Sequence, residues 1–151
     1  MQVRDVMSRN VVTIGASDSC HDAVERMSRH RIRHLPVVEG DGRLAGVVTD
    51  RDLRHRLFAP EVFRAIGEVS VDTLMRSAPV RDAMSSPAVS VRPDEDLADA
   101  ARLMLEDRIG SLPVVEDGRV VGIITETDLL RRIVGQDACC TDVAAIVVSY
   151  P

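Results

Sequence analysis

Tryptophan is absent from these 151 residues, and one Tyr and two Phe bring the aromatic share to only 2%. A chain so poor in rings offers no aromatic platform on which nucleic-acid bases stack. Any planar group it holds must be sandwiched between aliphatic side chains. Runs of basic residues are also lacking, and a net charge of -5 with a pI near 5.3 opposes a phosphate backbone. No nucleic-acid partner is expected. No apolar run approaches the roughly 18 residues of a membrane span, and Met1-Gln2-Val3-Arg4-Asp5 lacks the pattern of a secretory leader. No membrane partner and a cytoplasmic location are therefore expected.

Cysteine is scarce and oddly distributed. Cys20, Cys139 and Cys140 are three in number and two are adjacent, which argues against a disulfide framework and for reduced thiols. Adjacent cysteines also lack the helix-start Cys-x-x-Cys arrangement that lowers a thiol pKa. No Ser-His-Asp order, paired-carboxylate motif or Gly-x-x-x-x-Gly-Lys phosphate loop occurs. No catalytic residue and no enzyme activity are expected. His21, His30 and His55 fall on presumed helices without evident ligand partners, so no metal is expected either.

What is present is a soluble-type balance, 45% apolar and 28% charged residues with a mean hydropathy of +0.01, and an internal repeat. Val3-Arg-Asp-Val-Met-Ser8 returns as Val80-Arg-Asp-Ala-Met-Ser85. In the same register Arg31-Ile32 matches Arg108-Ile109, and Leu35-Pro-Val-Val-Glu39 matches Leu112-Pro-Val-Val-Glu116. After a one-residue deletion in the turn, Gly46-Val-Val-Thr49-Asp-Arg-Asp52-Leu53 matches Gly122-Ile-Ile-Thr125-Glu-Thr-Asp128-Leu129. The chain divides into repeat 1 (1–57), a helical linker (58–79), repeat 2 (80–134) and a tail (135–151).

Each repeat reads β-α-β-β-α. Val11–Ile14 and Ala88–Val91 are short β-branched runs, each predicted to be a strand. Ser17 and Asp94 are placed to cap the first helices. Hairpins follow around Gly40-Asp-Gly42 and Asp117-Gly118, and a second helix starts at Thr49-Asp50 and at Thr125-Glu126. In the linker, 60–67 and 71–75 read as short helical pieces. The tail run Ala144–Val148 is open between a strand, a packing helix and an oligomer contact.

Gly-x-x-Thr-x-x-Asp admits two readings. Thr and Asp have capping-box spacing, so the pair can simply close a helix start. A helix start also presents free N–H groups and the positive end of the dipole to a phosphate, while the Asp can accept two hydrogen bonds from a ribose diol.

The Met-Ser start, the Leu-Pro-Val-Val-Glu strand, the Gly-rich turn and Gly-x-x-Thr-x-x-Asp-Leu, all present twice, resemble the CBS domain pair, or Bateman module, of the stand-alone tandem type. The resemblance covers 3–57 and 80–134. It implies an α/β (α+β) fold of two units packed sheet to sheet about a pseudo-twofold axis, a homodimer, and clefts built across the repeats that bind AMP, ADP, ATP or another adenosyl compound as regulatory ligand. No catalytic cofactor is implied. One implied site joins Thr49, Arg51 and Asp52 to Arg81, Ser86, Ile109 and Gly110. The other joins Thr125, Thr127 and Asp128 to Arg4, Arg9, Ile32 and Arg33. Ile109 or Ile32, with Val48 or Ile124, would sandwich the adenine. Small Gly110 and Ser111 and the cation Arg51 favour the first site as the tighter one, against Arg33, His34 and Glu126 in the second. His34 is a further candidate for contacting a phosphate or tuning affinity with pH. Energy sensing for an unknown regulated protein on another chain is the implied role. The rivals are a ligand-free dimerisation or adaptor module and a thiol-dependent enzyme.

Overall fold

A computed structural model of the chain describes residues 1–57 and 70–135. The first repeat runs β1 (Ile14–Gly15), α1 (Cys20–His30), β2 (His34–Val38), β3 (Leu44–Thr49) and α2 (Asp50–Leu57); α3 (Val71–Ser77) precedes the second copy. The second repeat runs α4 (Leu97–Asp107), β4 (Ser111–Glu116), β5 (Arg119–Thr125) and α5 (Glu126–Ile133). Helix α3 covers the expected linker piece 71–75, whereas the piece 60–67 and the tail from Gln136 onward, with Cys139 and Cys140, lie outside the described residues.

Strands β2 and β3 form an antiparallel hairpin with β1 parallel on the outer side of β2, and β4 pairs antiparallel with β5. The first strands are shorter than the β-branched runs predict. Only Ile14 and Gly15 pair with β2, and of the second run only Val91 bridges to Val114. Pro87 and Pro93 remove donors on either side of Val91, which limits the ladder there. Val11, Val12, Ala88 and Val89, outside the strand ladders, line the clefts instead.

The helix caps fall two residues later than expected. Ser19, not Ser17, caps α1: its hydroxyl accepts from the Asp22 N–H at 3.1 Å, and the Asp22 carboxylate accepts from Ser19 N–H at 3.2 Å. A capping box needs an acid three residues on, and Ser17 has Cys20 there. Likewise Asp96, not Asp94, caps α4 by accepting from the Ala98 N–H, while Asp94 pairs with Arg92. Both helices end on a left-handed arginine, Arg31 (φ 53°) and Arg108 (φ 54°). The next residues, Ile32 and Ile109, donate back to Met27 and Met104 carbonyls, the closing bond of a Schellman turn. That turn aims both isoleucines out of their helices.

The two cores interlock the copies. Leu35, Val37, Val48 and Leu53 of the first repeat pack with Met75 of α3 and with Val80 from the start of the second repeat, while Leu112, Val114 and Ile124 pack with Val3 and Met7 from the start of the first. Backbone pairs seal the exchange: Val47 with Ser85, and Ile123 with Ser8. Gly46 and Gly122 permit it, since a Cβ at Gly46 would stand 2.6 Å from the Ser85 carbonyl oxygen, and one at Gly122 2.5 Å from the Met7 sulfur.

Candidate functional site

Where each first strand would have continued, the interlocked copies leave a cleft. Cleft A, of about 550 Å³, contains the Thr49–Asp52 helix start, and cleft B, of about 370 Å³, contains the Thr125–Asp128 start. Both volumes lie in the range of small-molecule sites, about 300–1,000 Å³.

The Thr-x-x-Asp geometry is the same in both. The Asp52 carboxylate accepts from the Thr49 N–H (2.8 Å) and hydroxyl (2.7 Å) through one oxygen, Oδ2, and the Thr49 hydroxyl accepts from the Asp52 N–H (3.1 Å). Asp128 accepts from Thr125 at 2.8 and 2.7 Å, and its N–H reaches the Thr125 hydroxyl at 3.4 Å. The capping box is thus complete, and it engages only Oδ2. Asp52 Oδ1 has no hydrogen bond among the described residues. Asp128 Oδ1 has Arg131 at 3.7 Å. The first N–H of each helix is also taken, Asp50 donating to the Arg33 carbonyl and Glu126 to the Gly110 carbonyl, both at 3.1 Å. The next residues, Arg51 and Thr127, line their clefts, and neither N–H bonds a residue outside its own helix among the described residues.

Cleft A brings together Thr49, Arg51, Asp52, Ile109 and Gly110. Arg81 and Ser86 do not line it. Arg81 sits in the 3-10 turn Val80–Asp82, its N–H bonded to the Ala16 carbonyl, and the Ser86 hydroxyl donates to the Ala45 carbonyl at 2.9 Å. Their neighbours Ser85 and Pro87 form that wall. Cleft B brings together Thr125, Thr127, Asp128, Ile32 and Arg33, but not Arg4 or Arg9; Ser8 and Asn10 stand there instead. Arg4 is held in the opening 3-10 turn, its N–H bonded to the Pro93 carbonyl.

Val48 and Ile124 are fully buried in the cores, so neither can face an adenine. Strand alternation presents Val47 and Ile123 to the clefts instead. The cations missed from sequence are Arg108 in cleft A and Arg31 and Arg131 in cleft B. Arg31 and Arg108 recur at the same repeat position, and Arg131 lies one turn beyond Asp128, which is the signal that marks them.

The expected contrast between the clefts does not hold as drawn, because Arg33, His34, Gly110 and Glu126 line both. Burial, then the neighbouring Arg33 charge, hold the His34 pKa below the usual imidazole value, while Asp50, Glu126 and Asp52 pull the other way. Away from the clefts, burial raises the Cys20 thiol pKa. His21 does have carboxylate neighbours: its donor atoms and those of Asp22 and Glu25 lie within 4.8 Å. These groups have other partners, Asp22 with Ser19, Glu25 with Arg29, and His21 with Asp72 and Arg76.

The sequence signature of the CBS domain matches residues 3–59 and 80–135. The chain belongs to the CBS domain family. A CBS domain-containing protein of Dictyostelium discoideum is 33% identical over 135 residues, covering 87% of this chain and 90% of its own length. Protein MJ1404 of Methanocaldococcus jannaschii is 36% identical over 133 residues, 87% of this chain; the chain spans only 32% of that longer relative. Among solved structures, the CBS domain pair of protein MJ0100 in complex with 5'-methylthioadenosine and S-adenosyl-L-methionine aligns at a TM-score of 0.75, with 27% identity over 89% of this chain and 97% of that one. CBSX2 in complex with AMP aligns at 0.72, with 31% identity over 89% and 96%. The mixed α and β architecture of two CBS repeats is shared with these pairs. No helix among the described residues is long and apolar enough to cross a membrane.

Proposed function

We propose that this CBS pair is a non-catalytic regulatory module that binds adenosine-containing ligands in clefts A and B. The observation that carries the reading is the Asp52 Oδ1 that the capping box leaves free among the described residues, in a cleft lined also by Arg51 and by Ile109 of the other repeat. A carboxylate oxygen suits a ribose hydroxyl, an N–H at a positive helix end suits a phosphate, and aliphatic Val47 and Ile109 suit the faces of a ring. The ligands of the MJ0100 pair and of CBSX2, all adenosyl compounds, support the same class. Within it, AMP, ADP or ATP fit an energy-sensing role in the cytoplasm, with the response passed to a regulated protein on another chain.

A homodimer is part of the proposal. Leu105 on α4, Leu130 and Ile133 on α5 and the adjoining Val134 are 60–80% exposed. The counterpart of Ile133 in the first repeat, Leu57, packs instead against the core to which Met75 of α3 belongs. An apolar helical surface of this kind suits contact with a second copy.

The adaptor reading rests on a specific observation, the fully satisfied Thr-Asp capping boxes, which need no ligand. Equilibrium dialysis with AMP, ADP, ATP and S-adenosylmethionine separates the two: saturable binding of any of them supports the sensor, and none supports the adaptor.

A further inference from the structure

Four residues stand in the wall shared by the clefts, and only one of them, His34, has an ordinary pKa near neutral pH. His34 opens β2 opposite Thr49, the cap residue of cleft A. Its side chain reaches across to the second repeat: a Cβ on Gly110 would lie 3.2 Å from His34 Nε2 and 3.6 Å from Glu126 Oε2. The imidazole and the Glu126 carboxylate therefore converge over one glycine, at the boundary of both clefts. The equivalent position in the second repeat is Ser111, opposite Thr125 and buried, with no charge to change. The pseudo-symmetric wall thus holds one imidazole, not two.

We propose, on the reading that the clefts hold anionic adenosyl ligands, that His34 is a shared proton-linked group that couples them, taking up one proton for whichever cleft fills first. The charges facing it are Arg33 on its own strand's approach, Asp50 and Asp52 at the start of α2, and Glu126 at the start of α5. Burial and Arg33 favour the neutral imidazole, against the pull of the three carboxylates. A phosphate arriving in either cleft adds negative charge near the wall and favours imidazolium. Once the proton is bound, a second anion meets a wall already positive. The first ligand therefore takes up the proton, the second takes up little, and binding tightens as pH falls.

The test follows the His34 Cε1–H resonance of the full chain from pH 5 to 8, with and without AMP, alongside AMP calorimetry at pH 6.5 in two buffers of different ionisation enthalpy. His34→Asn serves both to assign the resonance and to subtract protons exchanged by AMP itself. The expected result is an AMP-induced upward shift of the His34 midpoint. A shift of one pH unit corresponds to about tenfold in affinity between the pH limits. Proton uptake should be concentrated in the first binding step and absent from His34→Asn. Saturable AMP binding with an unmoved midpoint overturns the proposal alone, whereas no AMP binding at any pH overturns the adenosyl reading for AMP together with it.

Discussion

Val47 and Ser85 exchange both backbone hydrogen bonds, at 3.1 and 2.9 Å, although Val47 lies in β3 of the first copy and Ser85 in the opening segment of the second. Ile123 and Ser8 repeat the exchange at 3.0 and 2.9 Å with the copies reversed. Each β3-type strand therefore carries its own copy's Thr-x-x-Asp at its end and the other copy's Met-Ser segment along its side. That arrangement is what sets residues of both repeats around each cleft.

The exchange depends on Gly46. Gly46→Ala forces its Cβ against the Ser85 carbonyl, backbone that cannot swing aside, and overpacking of this sort costs about 1–3 kcal/mol. Chemical denaturation should show a loss of that size. Gly40→Ala, where a Cβ meets nothing within 4 Å, should stay near the parent.

Asp52→Ala removes the acceptor of two Thr49 hydrogen bonds as well as the oxygen offered to a ligand. Stability should fall by about 1 kcal/mol, as for loss of a cap, and ligand affinity at cleft A by about 1.5–3 kcal/mol, as for a hydrogen bond to a charged group. Denaturation without ligand and titration with it report the two losses separately.

Ile109 belongs to the second repeat yet lines cleft A beside Asp52. Ile109→Ala should weaken adenosyl binding at cleft A by about 1–2 kcal/mol, a fraction of a buried side chain's transfer energy. Arg81→Ala, outside both clefts, should leave calorimetric affinity unchanged within about 0.5 kcal/mol.

His34 also ties stability to pH. Its pKa is lowered in the folded chain, so the unfolded chain binds a proton more readily. The stability from keeping it neutral is present above the ordinary value of about 6.5 and is lost as pH falls through the depressed folded value. Thermal melts between pH 7.5 and 5 should fall more steeply for the parent than for His34→Asn. Equal slopes would assign the acid sensitivity elsewhere.

Much of the fold was legible because it was written twice. The matching of Leu35–Glu39 to Leu112–Glu116 and of Gly46–Leu53 to Gly122–Leu129 marks hairpins and second helices that the structure places within a residue or two. The first strands were overread because β-branched composition does not reveal whether a partner strand is available; Val11 and Val12 have the propensity and no ladder. Ser17 has a cap's chemistry, but only Ser19 has an acid, Asp22, three residues on. Around the clefts, Thr49, Asp52, Thr125 and Asp128 were legible from helix-start chemistry. Val48 and Ile124 were assigned to the clefts because the facing of alternate strand residues follows from which side the core lies. Arg81 and Arg4 were assigned to the clefts because a charged residue beside Met-Ser looks available, but both sit in 3-10 turns and neither lines a cleft.

The central claim is that adenosyl ligands bind in the two cross-repeat clefts through Asp52 and Asp128. Calorimetric titration of the full chain with AMP and with S-adenosylmethionine, repeated on Asp52→Asn, Asp128→Asn and the double variant, tests it most directly. The account predicts saturable binding by the parent, loss of a different component of that binding in each single variant, and loss of both in the double variant while its melting transition persists. Binding unaltered in the double variant, or no saturable binding of either compound by the parent, would contradict it.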